Sequence, residues 1–359
     1  MPAIQKFTSC AFSVMRHTSI LAVLYASGCH QPSQPVRVGY CVWIGSEPLN
    51  IVQHQRCLDE RQMQLFPFMS GEDAQTAFRQ GKIDVVHVTL DTTLRHNLRG
   101  MEHRPFLILS RSIGADVIRL RKTEASPGPL QNATAAPAGP APPLSRAALK
   151  GKMFALEVGS VSHYFLARAL QHWGLRDDDV KITNIAVSDS VYALAHLRVD
   201  AVVTWEPFAS EPVLVERSVE IFSSASLRDD EAILDILAAS PQTLERRAED
   251  LQALAECWHK AVRLMDTDPG YTDPLLARVE GVDVGEFRRR LSKVHLIDLK
   301  ENKTLMGIDT ISPTLLDMAV SWNQFLADHK YLDLTKVDRS WVASIFAPKV
   351  VRQARLPEP

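Results

Sequence analysis

Two stretches of this 359-residue chain are variants of one unit. In the first, Ala77-Phe78-Arg79-Gln80-Gly81-Lys82-Ile83-Asp84-Val85-Val86 leads to Thr89-Leu90-Asp91. In the second, Ala193-Leu194-Ala195-His196-Leu197-Arg198-Val199-Asp200-Ala201-Val202-Val203 leads to Thr204-Trp205-Glu206. Each reads as a helix end, a cation, an apolar residue, an Asp, and a short buried strand finishing in Thr and a carboxylate. In an open α/β sheet, ligands sit beyond the carboxyl ends of the strands. Two such ends in two similar halves predict two lobes that face each other across a cleft. Asp84 and Asp200 stand just before their strands, where Asp serves as a turn former.

The rest of the pattern extends this α/β plan. Apolar runs at 36–40, 64–69, 85–88, 104–109 and 115–120 predict strands, as do 153–158, 181–185 and 201–205. Helical spacing alternates with them at 49–61, 72–80 and 161–173. Pro67 confines its strand to a sheet edge. The run 233–238 is expected to return the chain to the first lobe. Beyond Pro241, apolar residues recur at helical spacing over 244–265, 286–294 and 314–328, so a helical C-terminal extension on lobe one is expected. Trp258, Trp322 and Trp341 read there as packing residues. The expected domains are lobe one at 36–118 and 233–350, and lobe two at 119–232. Two crossings between lobes suit hinge closure about a ligand. The stretch 123–143, rich in Ala, Pro, Gly, Ser and Thr, has little to bury and predicts a disordered insertion. A disordered tail is expected at 351–359.

At the other end, Lys6 and Arg16 precede an apolar run at 20–26, followed by Ala26-Ser27-Gly28-Cys29. This predicts an export signal peptide over 1–28, lipidation of Cys29, and a tether at 29–35. The protein is then expected on the periplasmic or cell-surface side, anchored to the membrane by lipid. The apolar run is too short to span a bilayer. A formal net charge of −2 without a basic run argues against nucleic acid as a partner. The chain has five Cys. With Cys10 in the signal and Cys29 acylated, Cys41, Cys57 and Cys257 remain. One pair has the option of bridging, but buried free thiols are the preferred reading. No zinc spacing, phosphate loop or Ser-His-Asp order is evident, so no catalytic residue, metal or cofactor is expected.

Gly159-Ser160-Val161-Ser162-His163-Tyr164-Phe165-Leu166, Arg168-Ala169-Leu170, Gly174-Leu175 and Asp178-Asp179-Val180 form one motif block. Val199 to Pro207 follows it, and Thr89-Leu90-Asp91 and Gly114-Ala115-Asp116 precede it. In order and spacing this set resembles the nitrate/sulfonate/taurine and thiamine-precursor group of ABC-transporter solute-binding proteins. The resemblance implies a two-lobed type II periplasmic-binding-protein fold and delivery of a small-molecule solute to ABC permease subunits. A monomer is expected. Fungal thiamine-pyrimidine synthases resemble the group in fold but need a Cys-rich motif, which is missing here, so an enzyme is the lesser reading.

Strand ends place Trp43, Glu47, Ser70, Thr89, Asp91 and Asp116 at the expected cleft from one side. Gly159, Ser160, Ser162, His163, Trp205 and Glu206 approach it from the other. The helix opening at Gly159-Ser160 offers free N–H groups to an anion, although Ser160 is equally an N-cap. The four acids argue the opposite way. Like charges ~4 Å apart repel by about 4 kcal/mol at an effective dielectric of ~20, unless a cation or a proton intervenes. The favoured ligand is therefore an amine- or heterocycle-bearing, thiamine-precursor-like solute, with Trp43 and Trp205 against its ring. Anionic nitrate, sulfonate or taurine solutes, or a ligand-sensing role, are the alternatives.

Overall fold

The computed structural model describes residues 34–60, 62–122, 146–307, 315–328 and 338–355. The expected signal peptide, Cys29 and the 123–143 insertion lie outside the described residues. The strands are β1 (Val36–Cys41), β2 (Met63–Phe68), β3 (Val85–Thr89), β4 (Arg104–Ser112), β5 (Asp116–Arg121), β6 (Met153–Leu156), β7 (Lys181–Asn184), β8 (Ala201–Trp205), β9 (Ser218–Ser223), β10 (Leu234–Ala239) and β11 (Val294–Leu296). They form two sheets, ordered β11-β4-β10-β3-β1-β2 and β7-β6-β8-β5-β9. In each sheet the first strands are parallel: β1 with β2 and β3, and β6 with β7 and β8. The returning strand β10 runs antiparallel between β3 and β4. Buried along its whole length, β10 is apolar at every position but Asp235, as a central strand covered on both faces requires. β2, which carries Pro67, lies at a sheet edge.

The two repeat aspartates do more than turn the chain. Asp84 Oδ2 accepts from the Arg37 backbone N–H at 2.9 Å, while the Asp84 N–H donates to the Arg37 carbonyl at 2.8 Å. Asp200 does the same with Met153, at 3.0 and 2.9 Å. In each lobe the repeat Asp pins the first residues of the neighbouring parallel strand. This identical local device explains why the two segments share a sequence pattern.

The chain crosses from the first sheet at 113–115, earlier than expected, because β5 pairs with β8 and β9 from its start. It returns between β9 and β10. The two crossings are joined: Ser112 Oγ lies 2.7 Å from Ser224 Oγ, which also accepts from the Gly114 N–H at 2.8 Å. Gly114 has φ +141°, a conformation that side chains disfavour.

Three features of the second half differ from expectation. The helical tail packs on lobe one, with helix Ala248–Thr267 against helix Pro48–His54, but one of its helices also reaches lobe two. Helix Leu315–Asp328 packs against helix Leu90–Leu98 of lobe one and the turn Asp229–Glu231, and its Trp322 stacks on Tyr164 of lobe two, with ring centroids 3.4 Å apart. Trp322 is fully buried in a core drawing Leu90, Leu94 and Ile108 from one lobe and Phe154, Phe165 and Leu166 from the other. Trp322→Ala should cost about 3–5 kcal/mol, read from the urea unfolding midpoint. Second, the expected disordered tail at 351–359 starts inside helix Lys349–Gln353, whose Val351 is buried. Third, Cys57 and Cys257 are not free thiols but form a disulfide, with Cα atoms 5.8 Å apart. Packing of helix Pro48–His54 on helix Ala248–Thr267 brings them together, which chain spacing alone does not disclose. Cys41 is the free cysteine among the described residues. Among these residues no helix is long and apolar enough to cross a membrane.

Candidate ligand-binding cleft

A cavity of about 720 Å³ opens between the carboxyl ends of the strands. Four helices begin at its wall. Ser70 caps helix Gly71–Arg79 by accepting from the Asp73 N–H at 3.1 Å. Thr89 starts helix Leu90–Leu98, Ser160 caps helix Val161–His172, and Ala186 starts helix Val187–Ala195. All four of these cap residues line the cavity. Each helix start leaves N–H groups without intrahelical partners and carries the positive end of a dipole. Their convergence follows from the fold, since each helix follows a strand whose carboxyl end faces the gap.

Seven of the twelve expected residues line this cavity: Trp43, Ser70, Thr89, Asp116, Gly159, Ser160 and Trp205. Glu47, Asp91, Ser162, His163 and Glu206 do not. Glu47 is buried behind the wall, accepts from Asn50 Nδ2 at 3.1 Å, and has its pKa raised to about 8 by burial and by Glu280. Asp91 is buried against Arg95, with Oδ2 2.7 Å from Nη2. Glu206 is buried and takes Lys293 Nζ at 2.5 Å and Ser210 Oγ at 2.9 Å. The two repeat carboxylates thus neutralise neighbours rather than face each other. His163 Nδ1 accepts from the Gly159 N–H at 3.3 Å. Ser160 Oγ donates to the Glu157 carbonyl at 2.7 Å and accepts from the Ser162 N–H at 3.1 Å. Its hydroxyl hydrogen is thereby committed, as are the Gly159 and Ser162 amides, so this helix start acts on the cavity mainly through the positive end of its dipole.

The sequence reading missed Cys41, His87, Arg95, Glu157, Asn184, Ser188 and Asp235, all of which line the cavity. Arg95 had a signal, since it stands four residues after Asp91 and on the same helix face. Besides binding Asp91, its Nη2 donates to Thr92 Oγ1 at 2.9 Å, and its Nη1 donates to the Gly159 carbonyl of the other lobe. Arg95 therefore spans the cleft. Glu157 reaches across lobe two to accept from the Val187 N–H at 3.2 Å, occupying one of the four helix starts.

Of the four acids expected here, Asp116 alone lines the wall. It is buried, its Oδ2 has no hydrogen-bond partner, and its pKa is raised from the ordinary 3.8 to about 7. Burial is the main cause, with Asp235, Asp91 and Glu206 adding to it. Between those two values the folded protein keeps a proton that the unfolded chain releases, so stability falls as pH rises through the window and levels off above it. Asp116→Asn should remove that slope. Relative to wild type the variant should gain about 1.4 kcal/mol per pH unit within the window, measured by urea unfolding at several pH values from 4 to 8. A wild-type–variant difference that does not change with pH would contradict the raised value.

A family model for the NMT1-like family matches residues 30–278. The chain belongs to the NMT1-like family. Over 134 residues, 37% of this chain, it is 28% identical to a protein of Escherichia coli (strain K12) described as an aliphatic sulfonates-binding protein. The matched stretch spans 41% of that relative's length. Among solved structures, the alkanesulfonate-binding protein SsuA from Xanthomonas axonopodis pv. citri bound to MOPS has a TM-score of 0.67 at 18% identity, covering 88% of this chain and 99% of that one. The periplasmic nitrate-binding protein NrtA from Synechocystis PCC 6803 has a TM-score of 0.66 at 13% identity, covering 89% and 88%. This NMT1-like chain has the two-lobed type II periplasmic-binding-protein fold, as its motifs implied. The helices beyond residue 278, including Leu315–Asp328, lie outside the family match.

Proposed function

We propose that this protein captures a small solute with an anionic, sulfonate-like head in its interlobe cleft and delivers it to an ABC permease. The observation that carries this is the meeting of four helix N-termini at one cavity wall; Glu157 occupies one of them, and the positive dipole ends of the other three favour negative charge. The names of the relatives agree with it, since they include sulfonate- and nitrate-binding proteins. The amine-bearing, thiamine-precursor-like ligand expected from sequence loses its basis. It rested on four acids at the cleft, and three of them serve other partners away from the wall. Trp43 and Trp205 offer apolar surface to the rest of the solute. The protein acts as a monomer on the extracytoplasmic side, held there by lipid on Cys29.

A thermal-shift screen of alkanesulfonates, nitrate, amines and pyrimidines tests the ligand class. A sulfonate at ~100 times its dissociation constant should add about 2.7 kcal/mol to stability. Stabilisation by amines or pyrimidines with none by anions would overturn the proposal. Cys29→Ser should move the protein from the membrane fraction to the soluble one.

A further inference from the structure

Asp116 opens β5 at the cavity wall, in register with Trp205 of β8, which lines the same wall. Its carboxyl is buried, and Oδ2 has no hydrogen-bond partner among the described residues. The charged groups around it come from three other elements. Asp235 acts on it from β10, Asp91 from helix Leu90–Leu98, and Glu206 from the residue after β8, and all three oppose its ionisation. Each of these three has a partner of its own. Asp91 Oδ2 has Arg95 Nη2 at 2.7 Å, Glu206 Oε1 has Lys293 Nζ at 2.5 Å, and Asp235 Oδ1 has His87 Nε2 at 3.1 Å. The group that favours charge on Asp116 is neutral, a hydrogen bond with Ser112. Ionised, Asp116 is a fourth buried carboxylate, and its Oδ2 meets no donor. Protonated, it has an O–H that nothing on the protein receives.

The same place is where a helix start meets the cavity. Asp235 is in register with Thr89, and Thr89 starts helix Leu90–Leu98. An anionic head drawn to that positive dipole end enters the field of Asp116. There it repels a carboxylate and accepts from a carboxylic acid. We propose that Asp116 takes part in solute capture as the acid, donating through Oδ2 to an oxygen of the anionic head, so that an anion binds together with one proton. This rests on the cavity being the site for an anionic solute. The proton comes from solvent when Asp116 is ionised in the free protein, and it returns there when the solute leaves. Burial and the three neighbouring carboxylates hold the Asp116 pKa at about 7 before any solute arrives. Below that value the acid is already in place. Above it the competent fraction, and with it the affinity, falls about tenfold for each pH unit. A sulfonate stays ionised throughout, so the change belongs to the protein. Capture is therefore strongest on the acid side of neutrality.

The test titrates butanesulfonate into the full chain by calorimetry at pH 6, 7, 8 and 9, in buffer free of sulfonates. Wild-type affinity should fall about 100-fold from the first pH to the last. Asp116→Asn keeps a donor and cannot ionise. Its affinity should change by less than about threefold over the same range and exceed that of wild type at pH 9. If the Asn variant does not fold, Asp116→Ser, which keeps a hydroxyl donor, takes its place. Wild-type affinity that stays level with pH overturns the proposal. So does an equal fall in the variant, which would put the titrating group elsewhere. A preference of about tenfold or more for aminopropanesulfonate at pH 9, lost in Asp116→Asn, would make Asp116 a carboxylate that holds an ammonium, and would overturn it too. Butanesulfonate that binds neither protein at any pH would remove the solute reading and the proposal with it, an outcome distinct from binding without pH dependence.

Discussion

Arg95→Ala is expected to destabilise the protein by about 3–5 kcal/mol. Arg95 and Asp91 form an ion pair 2.7 Å apart whose side chains are 6% and 0% exposed. Removing one partner strands the other charge in a low-dielectric setting, and that uncompensated carboxylate is the source of the loss. Thr89 Oγ1 still donates to Asp91 Oδ1 at 2.6 Å, but a neutral donor replaces little of a guanidinium. The double variant Asp91→Asn/Arg95→Met should recover much of the deficit, because it removes both charges together. Urea unfolding of the three variants reads the cycle. A loss below about 1 kcal/mol for Arg95→Ala would mean that Asp91 finds water or a proton instead. The same substitution cuts the contact from Arg95 to the Gly159 carbonyl across the cleft. Solute affinity should therefore fall as well, even under conditions where the variant is fully folded.

Replacing Cys57 and Cys257 together by Ser should cost up to about 5 kcal/mol. The bridge joins residues 200 positions apart. In the chain-entropy picture, so long a loop constrains the unfolded ensemble strongly. The two sulfurs tie helix Pro48–His54 to helix Ala248–Thr267, and neither residue lines the cavity. The variant should thus unfold at lower urea while keeping its solute affinity below the transition. Unchanged urea resistance in both the variant and the reduced wild type would show that packing of the two helices already fixes this contact.

The two-lobed plan was legible because the repeat is local. A helix end, an Asp and a buried strand lie within about a dozen residues, and the Asp works on a strand that the same pattern predicts. The strands of the central sheets were readable for the same reason, as continuous buried runs. β9 and β11 were missed: one carries Glu220 on an exposed stretch and the other is three residues long. The carboxylates show where local reading stops. Their positions at strand ends were readable, but their partners were not. Lys293 reaches Glu206 from a loop 87 residues away, and Glu280 acts on Glu47 from a distant helix. A charge at a strand end says where a side chain starts, whereas its role depends on which cation the tertiary packing brings to it. The joining of Cys57 to Cys257 was hidden in the same way.

Helix Leu315–Asp328 fills the seam where Leu90 and Leu94 of one lobe meet Tyr164 and Phe165 of the other. A chain made from its amino end therefore carries an open seam until residue 328 has been synthesised. Neither half can be cut out and studied alone without baring that seam to water. Cutting the chain before residue 315 would remove a piece that both halves need.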